Sequence, residues 1–288
     1  MFKAIPNYLQ LMKPSIMTLV LVTGAASLVA QESMMAEPGN FLLVLIGLLL
    51  TGGSANAFNM YFEREIDARM IRTSKKRPLP LCLVSPSGAL VFAVIIGTAG
   101  VAIFAFFFNI LSAILALATI VYYAFFYTLF LKPRTKYNIV IGGAAGSMAP
   151  IIAWAAAAGT IAVTPLILFM IIFLWTPPHF WSLALYIKED YETVGYPMMP
   201  VAVGDTRTRR MILLYTLVVV FFSFLLHYSG AGIIYGVVAF MAGVVFVYRA
   251  ATLYRADSNL PARQMFGYSI IYLFVIFVGV MADVIFKI

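Results

Sequence analysis

Residues 40–67 read Asn40-FLLVLIGLLLTGGSANAFNMYFEREI-Asp67. The first part, about 40–62, is long and apolar enough to cross a membrane as a helix, which takes about 20 residues. Its last turns should pass into water, yet they continue as a polar seam: Asn56, Asn59, Glu63 and Asp67. At 3.6 residues per turn, steps of three and four place these four side chains in one narrow stripe. The stretch therefore predicts a membrane-crossing helix that carries a polar site at its end.

The rest of the chain repeats the apolar part of that pattern. Of 288 residues, 63% are hydrophobic and 10% charged, too few polar groups to clothe a water-facing surface. Further apolar stretches lie at roughly 14–31, 86–107, 109–131, 138–158, 164–187, 211–228, 231–252 and 265–286, so nine spanning helices are expected. Short gaps at Phe108-Asn109, 158–163 and Ser229-Gly230 read as tight turns between antiparallel neighbours. The predicted class is an all-α, polytopic membrane protein forming a single integral-membrane domain over 1–288, with no room for a soluble one.

Charge placement orients it. Lys and Arg number 19 against 11 Asp and Glu, for a net charge of +8. Eighteen of the 19 fall before the first span or in alternate loops on one side, which the positive-inside rule assigns to the cytoplasm. The amino terminus is then cytoplasmic and the carboxyl terminus external. This placement explains the basic balance by topology and anionic membrane lipid, so no nucleic acid partner is expected. Neither a cleavable signal nor an Arg-rich transit segment is legible at the start, which favours a bacterial plasma (inner) membrane. A single Cys, Cys82, and two distant His leave oxygen as the donor for any metal.

Carboxylates sharing a helical stripe repel unless a positive charge lies between them. For Asn59, Glu63 and Asp67 a divalent cation is the economical partner, and an all-oxygen set suits Mg²⁺. The following loop, Arg69-Met-Ile-Arg72-Thr-Ser-Lys75-Lys76-Arg77-Pro78, has the cation density that a diphosphate needs. The plainer reading is a solvated helix end with a basic loop touching lipid headgroups. A second polar region, Lys188-Glu189-Asp190-Tyr191-Glu192, follows a span four helices later and hints at a duplicated four-helix unit. Just before it, Trp175-Thr-Pro177-Pro178-His179-Phe-Trp181 places two prolines in a span, where the helix should bend or open. An ionisable His179 at that depth belongs to a pocket or pathway.

Together these residues are familiar. Asn59-Met-Tyr-Phe-Glu63-Arg-Glu65-Ile-Asp67, with Arg72-Thr73 and Arg77-Pro78, resembles the first signature of the UbiA-type intramembrane prenyltransferases, although Glu63 stands where that family usually has Asp. The Trp175–Trp181 segment, Asp190-Tyr191 and Pro197-Met-Met-Pro200 resemble the haem-modifying branch of the family. The resemblance implies nine helices around a central, membrane-open cavity, with farnesyl diphosphate as donor and haem b as acceptor. It further implies haem O and diphosphate as products, with hand-on to a downstream haem A synthase or terminal oxidase assembly. On that basis Asn59, Glu63 and Asp67 hold Mg²⁺, and Arg72, Lys76, Arg77, Lys132 and Lys188 receive the diphosphate. Trp175, Trp181, Asp190 and Tyr191 line the substrate site, and His179 ligates haem iron or positions water. The rivals are a UbiA-type enzyme acting on an aromatic quinone precursor and, from another class, a secondary transporter. A transporter would carry its polar groups nearer the midplane.

Overall fold

The fold is taken from a computed structural model that describes residues 5–286; Lys3 and Lys287, both counted in the charge balance, lie outside the described residues. Among the described residues nine helices are long and apolar enough to cross a membrane: α1 Pro14–Gln31, α2 Pro38–Arg69, α3 Pro86–Phe108, α4 Ile110–Arg134, α5 Asn138–Ala158, α6 Val163–Tyr186, α7 Asp205–Tyr228, α8 Ile233–Arg255 and α9 Leu260–Ile285. Helices satisfy every backbone group within the segment, which is why an apolar chain in hydrocarbon takes this form. Five of the nine begin with Pro at the first or second helical position or behind a capping Asn or Ser. Asn109 caps α4 by accepting from the Ser112 N–H at 2.9 Å, and Ser85 caps α3 by accepting from Gly88 N–H at 3.1 Å. Gly159 (φ 69°) and Gly230 (φ 117°) occupy left-handed conformations at the turns after α5 and α7, where an L side chain would be strained.

The helix limits differ from the expected ones chiefly at polar ends. α2 continues seven residues beyond 62, carrying Glu63 and Asp67 with it, and α7 begins at Asp205. Hydropathy marks where hydrocarbon ends, whereas the helix persists as long as its polar turns find partners. Two helices tighten or widen internally: α3 ends in a π-helical turn at Phe104–Phe108, and α4 is π-helical over Tyr122–Leu131. α5 is broken at Ser147-Met148. α6, by contrast, runs helically through Pro177 and Pro178, so the expected opening at the double proline does not occur. Both prolines are buried among α7 and α9, and hydroxyls flank them: Thr176 donates to the Ile172 carbonyl at 2.8 Å and Ser182 to the Pro178 carbonyl at 2.6 Å.

The helices group as α2–α5 and α6–α9, with α1 touching α2, α5 and α9 between them. The second group holds the largest apolar core, built on Trp175, Trp181, Tyr235, Phe246, Tyr272 and Phe277. In the first group α2 and α3 approach closely through small residues. A methyl added at Gly100 would lie 2.7 Å from Thr51 Cγ2 and 3.0 Å from Thr51 N. Large apolar side chains such as Phe106, Phe107, Ile110, Val237 and Ile271 are left facing outward, as a lipid surface requires.

Candidate functional site

The polar stripe of α2 is buried rather than solvated: Asn59, Glu63 and Asp67 are 2%, 3% and 2% exposed. A buried carboxylate is tolerated only when paired, and each of these side chains has a cationic nitrogen beside it. Lys132 of α4 bonds Glu63, Arg77 from the loop after α2 bonds Asp67, and Arg77 also lies 3.8 Å from Glu63 Oε2. Lys13, at the foot of α1, donates to Asn59 Oδ1 at 2.8 Å. Tyr196 donates to Glu63 Oε1 at 3.4 Å, and its ring sits 5.1 Å beneath the Lys132 ammonium. Three cations thus face two carboxylates, leaving the cluster formally one positive charge in excess. Burial, and next the Arg77 guanidinium, hold the Lys13 ammonium well below the usual lysine pKa. Burial, with Glu63 next, pushes the Tyr196 hydroxyl up.

Local geometry aims these groups. The Asn59 amide is oriented by Thr128, whose hydroxyl donates to the Tyr123 carbonyl at 2.8 Å and so accepts from Asn59 Nδ2 at 3.1 Å. Oδ1 is therefore the atom presented to the cluster. Thr128 lies in the π-helical part of α4, one element with Lys132; such widened turns concentrate at functional sites. The loop after α2 is tied down by two contacts. Thr73 donates to the Asp67 carbonyl at 2.7 Å, while Asp190 accepts from the backbone N–H groups of Ile71 and Arg72 at 3.0 and 3.1 Å. Asp190 accordingly holds the loop backbone that carries Arg72 and Arg77. Tyr191 is buried beside it, and burial raises its hydroxyl pKa. Arg72 Nε is enclosed with no partner, a donor left for an anion.

His179 lies elsewhere, between α6 and α9. Its imidazole stacks between Trp175 (4.2 Å between centroids) and Phe266 (4.7 Å), with Phe180 edge-on at 5.1 Å. Nδ1 is 2.7 Å from Ser269 Oγ, and Trp175 Nε1 donates to the Ser269 carbonyl at 2.7 Å.

The structure thus gathers Asn59, Glu63, Asp67, Arg77 and Lys132 at one place, with Arg72, Asp190 and Tyr191 beside them, and sets His179 with Trp175 at another. Three expected residues stand apart. Lys188 bonds Asp205 at 3.0 Å and approaches Glu192 at 3.8 Å, and the Asp205 bond raises its pKa. Lys76 is exposed. Trp181 is fully buried in the α6–α7 packing, edge-on to Tyr215, with its Nε1 unpartnered. Asn56, on the same stripe, turns to α1 and donates to the Met12 carbonyl at 3.2 Å. Lys13, Thr128, Tyr196 and Ser269 were not picked out by sequence. Lys13-Pro14 opening a span, and Thr128 four residues before Lys132, were the available signals.

The donor set fits a hard divalent cation. Among the described residues no three His, Cys, Asp or Glu gather. The cluster offers two carboxylates and an amide, all oxygen, each already drawing a positive charge, which leaves the remaining coordination to water and phosphate as Mg²⁺ prefers.

Among the described residues, nine helices able to span a membrane bring a buried cluster of carboxylates and cations to the end of the second. The chain belongs to the UbiA prenyltransferase family, which it matches over residues 19–276, and is an intramembrane prenyltransferase. It is 44% identical to the protoheme IX farnesyltransferase of Microcystis aeruginosa over 280 residues, 96% of this chain and 88% of that one. Its fold is shared with a solved digeranylgeranylglyceryl phosphate synthase (TM-score 0.80, 19% identity, 99% and 100% of the two chains). It is also shared with a UbiA homologue from Archaeoglobus fulgidus bound to GPP and Mg²⁺ (TM-score 0.68, 15% identity, 95% and 99%).

Proposed function

We propose that this chain transfers the farnesyl group of farnesyl diphosphate to a vinyl group of protohaem (haem b), with addition of water, giving haem O and diphosphate. The observation that carries this reading is the buried cluster of Glu63, Asp67, Lys132 and Arg77 in a chain 44% identical, nearly end to end, to a protoheme IX farnesyltransferase.

The chemistry follows from the charges. Breaking the allylic C–O bond leaves its electron pair on diphosphate, so positive groups fixed around the leaving group lower the barrier. Asn59, Glu63 and Asp67 would hold Mg²⁺, which supplies charge neutralisation to the departing diphosphate. Lys132 and Arg77 then exchange their carboxylate partners, and Lys13 its Asn59 amide oxygen, for phosphate oxygens, and the enclosed Arg72 Nε gains an acceptor. The vinyl carbon attacks C1 of the farnesyl group, and the cation left on the porphyrin side captures water, which loses a proton to become the hydroxyl. No protein nucleophile is needed. His179, in its aromatic nest with Trp175, contacts the haem. Asp190 positions the loop that bears the diphosphate-binding arginines, with Tyr191 buried beside it.

The enzyme works as one multi-pass domain in a bacterial plasma membrane, amino terminus in the cytoplasm, and passes its product to haem A synthesis or terminal oxidase assembly. The test is direct: membranes containing the protein are incubated with haem b, farnesyl diphosphate and Mg²⁺, and the porphyrins are resolved by mass. Haem O is expected. A prenylated aromatic acid, with haem unchanged when both acceptors are offered, would overturn the assignment.

A further inference from the structure

The hydrogen bonds around His179 fix which of its nitrogens carries the proton. Ser269 Oγ lies 2.6 Å from the Phe266 carbonyl and 2.7 Å from His179 Nδ1. A hydroxyl has one proton to give, and a carbonyl only accepts. The Ser269 proton therefore goes to Phe266, and the second contact is satisfied only when Nδ1–H donates to Ser269 Oγ. A neutral imidazole protonated at Nδ1 carries its lone pair at Nε2. That nitrogen makes no hydrogen bond among the described residues, which leaves its lone pair for a ligand. The ring cannot swivel to escape this arrangement, because Trp175 and Phe266 stack on its two faces and the Ser269 carbonyl anchors Trp175 in turn.

We propose that Ser269 is a positioning residue that holds His179 as its Nδ1–H tautomer and so presents an unprotonated Nε2 to the iron of the porphyrin acceptor. The inference deepens the haem contact assigned to His179 above and rests on it. The proton on the remote nitrogen, held by an oxygen acceptor, is the arrangement by which second-sphere groups orient imidazole ligands and raise their basicity. It also gives the site a reason for its rigidity: an iron held at one point orients the vinyl groups at the porphyrin edge.

The chain's two histidines make the test clean. In protein labelled with ¹⁵N-histidine, His227 serves as internal reference, since its Nδ1 faces the Gly232 carbonyl at 3.1 Å and must also be the donor. The wild type should show His179 protonated at Nδ1 and bare at Nε2. Ser269→Ala should lose that single-tautomer signature while leaving His227 unshifted, and should weaken binding of ferric haem by about 10- to 100-fold with a changed Soret band. Ser269→Thr, which keeps the hydroxyl, should restore both. An Nε2–H tautomer in the wild type, or Ser269→Ala binding haem with unchanged affinity and spectrum, would overturn the proposal. His179→Ala separates this from the underlying reading. If it loses haem while Ser269→Ala does not, only the role of Ser269 fails; if it too binds haem unchanged, the haem contact fails with it. Should Ser269→Ala not fold, the wild-type tautomer and the threonine variant still decide.

Discussion

The end of α2 and the α6–α9 seam are both buried polar sites, and they are held in opposite ways. At α2 the three polar side chains each meet a charge from a different element: Lys13 before α1, Arg77 from a loop, Lys132 from α4. Long cationic side chains can change partners without moving a helix. At α6–α9 the imidazole is neutral, clamped between two rings and fixed by a serine. Nothing there can rearrange cheaply. The difference matches the two substrates proposed: a highly charged diphosphate that must be gripped and let go, and a flat macrocycle that must be held in one orientation.

Substitutions should separate the two sites. Asp67→Asn removes one of two buried carboxylates and leaves Arg77 without its charged partner. Haem O formation should fall by about 10²–10³-fold, measured by product mass, while haem binding measured optically stays at the wild-type level. His179→Ala should do the reverse, raising the KM for haem on the order of 100-fold and leaving the KM for farnesyl diphosphate unchanged in steady-state kinetics. If either variant disturbs both substrates equally, the two regions are not independent.

Smaller effects test the supports. Thr128→Val removes the acceptor that orients the Asn59 amide, a loss of about 1 kcal/mol. The Mg²⁺ concentration for half-maximal activity should rise by about fivefold, with little change in the KM for haem. Lys188→Ala removes a half-buried ion pair with Asp205 that lies apart from the cluster, and turnover should change by less than about twofold. A large loss there would return Lys188 to the diphosphate site.

What the sequence conveyed and what it hid follow one rule. Features spaced along a single helix were legible: the nine spans, and the stripe of Asn59, Glu63 and Asp67, whose shared face needs only the helical period. Features that depend on which helices meet were not. Lys13, Thr128, Tyr196 and Ser269 lie 46, 69, 133 and 90 residues from the groups they serve, and no local pattern announces such a pairing. The same cause hid two contacts. Asp190 accepts from the backbone N–H groups of residues 71 and 72, far away in the chain. α6 stays helical through its double proline while packed against α7 and α9, which follow it in sequence.

The exchange of partners at the end of α2 is the step on which the account turns, and one structure tests it: the protein bound to a non-hydrolysable farnesyl thiodiphosphate with Mn²⁺ in place of Mg²⁺, the metal located by its anomalous signal. The account predicts Mn²⁺ against Asn59, Glu63 and Asp67, with Lys132 and Arg77 turned from the carboxylates to phosphate oxygens. A diphosphate seated elsewhere, with both ion pairs intact and no metal on α2, would contradict it.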